Sequence, residues 1–421
     1  MTPESRRRAA VLGVLVATYA TSPGQTYVVS CFNDSLRAAS DAVDPGLGLA
    51  GTRLSAAYLV GTLLSAATLT HAGRLADRIG PRRMIALSGL GLAGAGLAFS
   101  SAGGVASLVL AFFLLRFFGQ GVMSLASSHA LALRFDARLG SVEGLRGATV
   151  SLAVATAPLV AVAAIERAGW RSAAWMLALG AGALAVFAAL GLLDRDPDVA
   201  RPEGGPARPE AGHTLAEARR TRAFWTLLGC TSFGAAYITA IHFHLQPLLG
   251  AKGLDRTAVA ATFVPYALAA LAGTLFGGVL VDRLRPAPLL GIAMVLLGAG
   301  GAALGAVEAP WIGHAGMAVV GAAHGLGGAV YTPTLARYFG RAHHGAIRGA
   351  AGTAGVAGSA AGPYALSATA TGVGFGPALA IMSALALPAA WFAFTLLRPE
   401  APERSGSAQD RAEDEQSDEG E

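Results

Sequence analysis

Apolar residues along this chain do not alternate. They come in long blocks, each closed by a short knot of charge, glycine or proline. Most blocks reach the roughly 20 residues that a helix needs to cross a hydrocarbon layer. Twelve are legible, near 9–36, 50–72, 82–100, 104–133, 147–166, 171–193, 223–249, 257–281, 287–307, 311–336, 346–370 and 375–397. The lack of period-two alternation argues against an outer-membrane barrel. The pattern predicts an all-α polytopic membrane protein with twelve transmembrane helices. Bends are expected at Pro23-Gly24 in the first span and at Pro265 in the eighth, where freed backbone groups need partners or a wet cavity.

The polar stretch 194–222 divides the blocks six and six. The expected organisation is an N-terminal six-helix bundle (1–193), a cytoplasmic linker (194–222), a second six-helix bundle (223–397) and a disordered acidic cytoplasmic tail (398–421). Within the linker, Thr214-Leu-Ala-Glu217 has the spacing of a capping box and predicts a short surface helix.

Composition agrees with the blocks. Of 421 residues, 53% are hydrophobic and 14% charged, with mean hydropathy +0.53. A soluble globule carries about 25% charged residues. The run after Arg6-Arg7-Arg8 is too long for a signal core and reads as a retained first helix. Cys31 and Cys230 lie apart in apolar blocks, so neither a disulfide framework nor a metal site is expected. The net charge of +5 is a matter of topology, not a nucleic-acid signal. With the N-terminus inside, 24 of the 31 basic residues fall in inner segments and six in outer ones. That bias predicts both termini cytoplasmic, in a multi-pass protein of a bacterial-type inner (plasma) membrane. The remaining basic residue, Arg116, falls inside the fourth block.

Two loops repeat. Residues 73–83 read Gly73-Arg-Leu-Ala-Asp77-Arg78-Ile-Gly80-Pro-Arg82-Arg83, and 278–286 read Gly278-Val-Leu-Val-Asp282-Arg283-Leu-Arg285-Pro286. The shift is 205 residues, and the second copy lacks the second glycine. Arg134-Phe-Asp-Ala-Arg138 with Arg146-Gly147 is echoed by Arg337-Tyr-Phe-Gly-Arg341 with Arg348-Gly349 at a shift of 202–203. Nearly one spacing for both pairs points to two pseudo-symmetric six-helix bundles, a standard transporter plan with its site between the repeats.

These residues carry a resemblance. The chain is similar to members of the major facilitator superfamily, whose signature loop between spans two and three is matched by Gly73, Leu75, Asp77, Arg78, Gly80, Arg82 and Arg83. Gly278, Asp282 and Arg283 match the degenerate copy between spans eight and nine, and Arg116 the arginine of span four. The usual Gln-Gly order after that arginine is altered to Gly119-Gln120-Gly121. Gly169-Trp170-Arg171 before span six is also familiar, and the resemblance extends over residues 9–397. It implies alternating access. It also implies that the 73–83 loop gates the inner side, with Asp77 meeting the start of span eleven near Ala346 and Arg78 and Arg82 pairing across the halves. Asp282 and Arg283 would form a reduced counterpart. The bland alternative is a positive-inside anchor and tight turn.

Candidate binding residues are the few polar ones at mid-depth. Arg116 lies about 18 Å into its span, where a charge is costly and by default functional. An anion anchor, a structural arginine on backbone carbonyls and a proton-relay partner all remain open. Gln120 shares its face. His324 corresponds by the repeat to Gly119, which places it at similar depth in the opposite half, for binding or protonation or as a packed histidine. Gln25 beside the first bend and Tyr266 beside Pro265 are weaker candidates. His242 and His244 are expected at the membrane interface. The glycines 349, 352, 355, 358 and 362 of span eleven share a face suited to close packing or rocking.

No acidic residue falls clearly at mid-membrane, so coupling by histidine, co-transport of a protonated substrate and plain facilitation stay open. No phosphate-binding loop, zinc spacing or nucleophile constellation occurs, so neither a cofactor nor an enzyme is expected. The Arg337–Gly349 stretch is similar to loops of the monocarboxylate and oxalate–formate porter branch. That branch often binds carboxylate through basic residues of spans eight or eleven. Neither span has one at mid-depth here, which leaves Arg116 as the replacement. The expectation is a secondary active transporter, a symporter or antiporter, of a small solute, preferably a small organic anion such as a monocarboxylate. Its partners would be that solute, the lipid bilayer and, as an option, a co-transported proton; nucleic acid is excluded. A drug or apolar-solute efflux pump of the same fold and a non-transporting membrane sensor are the rivals.

Overall fold

The computed structural model describes residues 3–38, 46–132, 139–191, 212–340 and 343–398. Most of the linker and the acidic tail lie outside the described residues. The first half runs α1 (Pro3–Thr21), α2 (Thr26–Val29), a 3-10 turn (Ser30–Phe32), α3 (Asn33–Arg37), α4 (Gly51–Ser100), α5 (Val105–Leu114), a π-helix (Leu115–Val122), α6 (Met123–Ala132) and α7 (Leu139–Gly191). The second runs α8 (Leu215–Ala218), α9 (Arg222–Gly250), α10 (Arg256–Ala261), α11 (Phe263–Arg283), α12 (Pro286–Gly305), α13 (Pro310–Phe339), α14 (His344–Val373) and α15 (Phe375–Leu396). Among the described residues there is no strand, only a single bridge between Gly212 and Gly340. The protein is the expected twelve-helix membrane fold of two bundles.

Two long helices are each two crossings folded at a glycine. Gly80 (φ 78°) divides α4 and Gly169 (φ 74°) divides α7. Both hold backbone angles that residues with a Cβ resist. Pro81 then opens the next crossing, a position that suits its fixed φ. This explains the missing glycine in the second copy of the loop. Arg285, the counterpart of Gly80, has φ −68° and ψ 140°, ordinary extended backbone. The second turn reaches Pro286 without a left-handed residue, so any side chain is tolerated there.

Seven described helices are long and apolar enough to cross a membrane by length and composition alone. The spans that fall short are the broken first one, the first crossing of α4, α13 and α14. All of them contribute residues to the central cavity described below. Polarity is thus concentrated where the wall is wet.

Glycines bring helix backbones together. A Cβ on Gly321 or Gly325 of α13 would strike the carbonyls of Tyr266 and Ala270 on α11. Gly358 and Gly362 of α14 press in the same way on Ser232 and Ala236 of α9. Both pairs are four residues apart, the spacing that lets helices touch in lipid, where packing has to replace the hydrophobic drive. The small face of α14 is therefore split. Its far half packs on α9, while Gly352 and Gly355 line a cavity.

The bend expected from Pro265 falls in the turn before it. The helix is interrupted at Thr262, between α10 and α11, where Pro265 lacks the N–H for the Ala261 carbonyl and its ring crowds that carbonyl.

Candidate functional site

The first span breaks at Ser22–Gln25, and the site is built on that break. Pro23 has no N–H, and Gly24 donates its own to Ser22 Oγ at 3.1 Å. Gln25 Nε2 turns back to the Tyr19 carbonyl at 3.1 Å. The Gly24 carbonyl, freed from any helix ladder, accepts from Arg116 Nη1 at 3.2 Å. The same nitrogen reaches Thr26 Oγ1 at 3.1 Å, and that hydroxyl shares a 2.8 Å hydrogen bond with the Tyr58 hydroxyl. The Arg116 guanidinium lies 5.4 Å from the Tyr58 ring centre. Its Nε has no protein partner among the described residues.

Arg116 reaches this position from the π-helix Leu115–Val122, which also carries Gln120. Single wide turns of this kind often mark functional segments. The approach is close, because a Cβ on Gly24 would strike the Leu115 carbonyl and the Gly119 backbone. Gly119-Gln120-Gly121 thus supplies small residues where the first and fourth spans touch. Arg116 is only 5% exposed and braces a backbone carbonyl, yet it also lines a cavity. The structural and the anchoring readings describe one side chain.

The cavity lies between the halves and has two lobes. The larger, about 820 Å³, is lined by Tyr19, Thr62, Ser65, Arg116, Gln120, Ser124, Ser128, Arg348 and small residues of α14. Arg146 flanks it, donating to Ser124 Oγ at 3.1 Å and lying 5.4 Å from the Tyr19 ring centre. The smaller lobe, about 460 Å³, is lined by Gln25, Tyr27, His242, Tyr266, Met294, His324, Tyr331 and others. Tyr19 and Gln120 border both lobes and join them. Neither lobe has an Asp or Glu in its described wall.

In the smaller lobe the Tyr266 hydroxyl and His324 Nδ1 are 2.5 Å apart. The tautomer of His324 decides which of them donates. His324 is surrounded by protein, but its ring is open to the cavity rather than packed. His242 stands edge-on to Tyr266 at 4.7 Å between ring centres. It is buried, and its Nε2 has no protein partner among the described residues.

At the end of the molecule far from the termini, the halves are joined. Asn33 Nδ2 donates to the Phe243 carbonyl at 2.6 Å. Arg256 Nη1 donates to Ser35 Oγ at 3.3 Å, and Thr52 meets Ser367 and Thr371 at 3.4 and 3.2 Å. Tyr58 packs on Phe243 with ring centres 4.7 Å apart. At the opposite end, which carries the 73–83 loop, the bonds among the described residues stay within each half. Arg82 Nε donates to the Ala189 carbonyl at 2.9 Å, and Arg337 pairs with Asp282 at 3.0 Å. Arg78, Arg283 and Arg348 are exposed. Arg348 and Ser128 carry the wall of the large lobe towards the basic-loop end.

All five expected binding residues reach the cavity: Arg116 in the large lobe, Gln25, Tyr266 and His324 in the small one, and Gln120 between them. In the loop motif, Gly80 forms the turn and Gly73 faces Leu125 at ordinary contact distance. The Asp77 side chain lies outside the described residues. One expectation is corrected. His242 and His244 are not interface residues: both are buried in protein, and His244 Nε2 bonds the Pro363 carbonyl at 2.8 Å. Tyr19 and Tyr331 were not singled out from sequence, and Arg348 was named only as part of the repeated loop. Tyr19 had a usable signal, since it lies one turn before Pro23. Among the described residues, no group of three or more His, Cys, Asp or Glu side chains converges to hold a metal ion.

The model of the Major Facilitator Superfamily matches residues 9–363 and 245–417. No curated protein matches. Among solved structures, the chain is similar to a bacterial homolog of the human lysosomal transporter Spinster in an inward-facing, unoccupied conformation. That match has a TM-score of 0.75 and 16% identity, over 95% of this chain and 98% of that one. The same homolog in an inward-facing, occupied conformation matches with a TM-score of 0.71 and 15% identity, over 95% and 98%. At these identities the likeness is one of fold.

Proposed function

We propose a cargo for this chain, which belongs to the major facilitator superfamily and is a membrane transporter: a small organic anion such as a monocarboxylate, moved by secondary active, alternating-access transport. The supporting observation is the charge of the large lobe. Arg116 and Arg348 line it, and no Asp or Glu is among the described residues of its wall; Arg146 flanks it through its bond to Ser124. A guanidinium is the favoured partner of a carboxylate, through paired charge-assisted hydrogen bonds. Gln120 and Tyr19, at the junction of the lobes, would orient the rest of the solute.

The arginine bias of the loops makes the basic-loop end cytoplasmic. On that reading the present state is open inward, and the contacts of Asn33, Arg256 and Thr52 are the closed outer gate. In the opposite state the inner gate closes as the 73–83 loop brings Asp77, Arg78 and Arg82 to the start of α14. Ala346 is exposed there and ready to receive them. A carboxylate at a helix N-terminus is favourable. Tyr266 and His324 form the proton-handling pair if transport is proton-coupled.

The aromatic residues and Met294 of the small lobe favour a second reading, export of an apolar solute. Reconstitution into liposomes with labelled monocarboxylates and a labelled cationic drug separates the two. Carboxylate uptake driven by a solute or proton gradient is expected. Movement of the drug with no carboxylate flux under any gradient would rule out the anion reading.

A further inference from the structure

A second cavity faces away from the transport path. It is a groove of about 630 Å³ between the first turns of α9 and the end of α15. Its mouth carries Arg219, Arg220 and Arg222, all exposed, and no acidic residue lines it. Below the arginines the wall turns apolar. Trp225 is 57% exposed, and its indole N–H is held at the mouth by the Arg219 carbonyl at 2.7 Å. Phe233 lies about 12 Å deeper along α9 than Trp225, and Leu385 and Phe392 line the groove from α15. Cys230 closes the floor, with its thiol 3.5 Å from the Ala389 carbonyl. An exposed tryptophan marks the membrane–water boundary. The groove is therefore basic at headgroup level and apolar at acyl depth.

We propose that this groove binds an anionic phospholipid of the adjoining leaflet. Its phosphate pairs with the arginines and one acyl chain lies in the trough between α9 and α15. Basic pockets at the ends of membrane helices suit such headgroups. The chain's own acidic end, 398–421, matches the charge but not the trough, because its only apolar side chains are alanine and proline.

The full-length protein, stripped of lipid in detergent, is titrated with phosphatidylglycerol or phosphatidylcholine of the same chains, and bound lipid is counted by native mass spectrometry. Phosphatidylglycerol is expected to bind about tenfold more tightly. The double variant Arg219→Gln/Arg220→Gln should remove that preference and leave phosphatidylcholine binding unchanged. Gly229→Trp should lower retention of both lipids. A Cβ at Gly229 meets nothing within 4 Å, so the indole fills the groove without straining the fold. An unchanged thermal midpoint checks this, and Gly229→Leu replaces the variant if the midpoint falls.

Equal affinity for the two lipids overturns the proposal. So does phosphatidylglycerol binding that survives Gly229→Trp, which would mean surface charge alone. Binding of phosphatidylglycerol only after residues 399–421 are removed would assign the groove to the acidic end instead, and also overturns it.

Discussion

The fourth span of the first half and its repeat partner, α13 of the second, occupy equivalent places but are built differently. The first is interrupted by a π-helix and carries a buried arginine that braces a broken neighbour. The second is a continuous helix, and at the matching depth it carries a histidine bonded to a tyrosine. The first span is broken at Pro23-Gly24, whereas its counterpart α9 runs unbroken from Arg222 to Gly250. A break frees a carbonyl in a low-dielectric setting, and a cation is an effective partner for it. With no break to satisfy in α9, neutral groups suffice. Duplication thus kept the frame while the chemistry of the halves diverged, leaving a cationic lobe beside an aromatic, histidine-lined one.

Removing Arg116 should break this contrast most severely. Arg116→Ala deletes the donor to Gly24 and Thr26 and most of the charge at the centre of the large lobe. Anion transport into liposomes should fall about 100-fold or more, with stability lower by about 1–3 kcal/mol. Initial uptake rates and thermal unfolding measure the two effects separately. Normal transport by a less stable variant would confine Arg116 to the scaffold.

Tyr266→Phe tests the other lobe. It removes one hydrogen bond to His324 and leaves the packing in place. Transport should fall about tenfold, equivalent to ~1.4 kcal/mol, while the unfolding midpoint stays within a few degrees. Equal losses in rate and in stability would show that the pair is structural.

The two loop copies form a sharper pair. Gly80→Ala forces a Cβ into the φ 78° turn and should cost about 1–2 kcal/mol. Arg285→Ala, in extended backbone at the matching place, should cost less than about 0.5 kcal/mol. Similar costs at the two positions would refute the account of the missing glycine.

The smallest effect concerns α8. The Thr214 backbone N–H and hydroxyl hold the Glu217 carboxylate below its ordinary value of 4.5. A depressed carboxylate stabilises the fold above its unfolded pKa, and that contribution disappears as pH falls through the folded value. The protection of the α8 amides, taken as the intrinsic exchange rate divided by the observed one, should therefore be highest near neutral pH and fall only on acidification below the ordinary glutamate range. Glu217→Gln should flatten this dependence. Protection that falls already between pH 7 and 5 would point to another group.

Most of the scaffold was legible in the sequence. Blocks of about 20 apolar residues encode spans whatever their neighbours, because an unpaired backbone in lipid has no alternative to a helix. The capping box at Thr214 and Glu217 was equally local, and it formed as expected. The repeat was visible because the two turns sit at nearly one spacing. The break at Pro23-Gly24 could be read because proline and glycine act on their own backbone. Pro265 was readable for the same reason, since it interrupts the helix in its own preceding turn, at Thr262. Less legible was whatever depended on a partner far along the chain. His242 looked like an interface residue from its position in span seven, and only the structure showed its ring set edge-on to Phe263 and Tyr266.

The sequence by itself determined that this chain is a twelve-helix, duplicated membrane protein with a loop motif at 73–83 and one arginine within a span. These follow from composition, periodicity and local backbone chemistry, which need no knowledge of neighbours. Only the tertiary structure decided that Arg116 holds the Gly24 carbonyl, that Tyr266 meets His324, and that Tyr19 and Gln120 join two lobes. It also decided at which end bonds such as Asn33 to Phe243 join the halves. Those contacts join residues up to 319 positions apart, as between Thr52 and Thr371. No local rule ranks such pairings, because their energies depend on how whole helices approach one another.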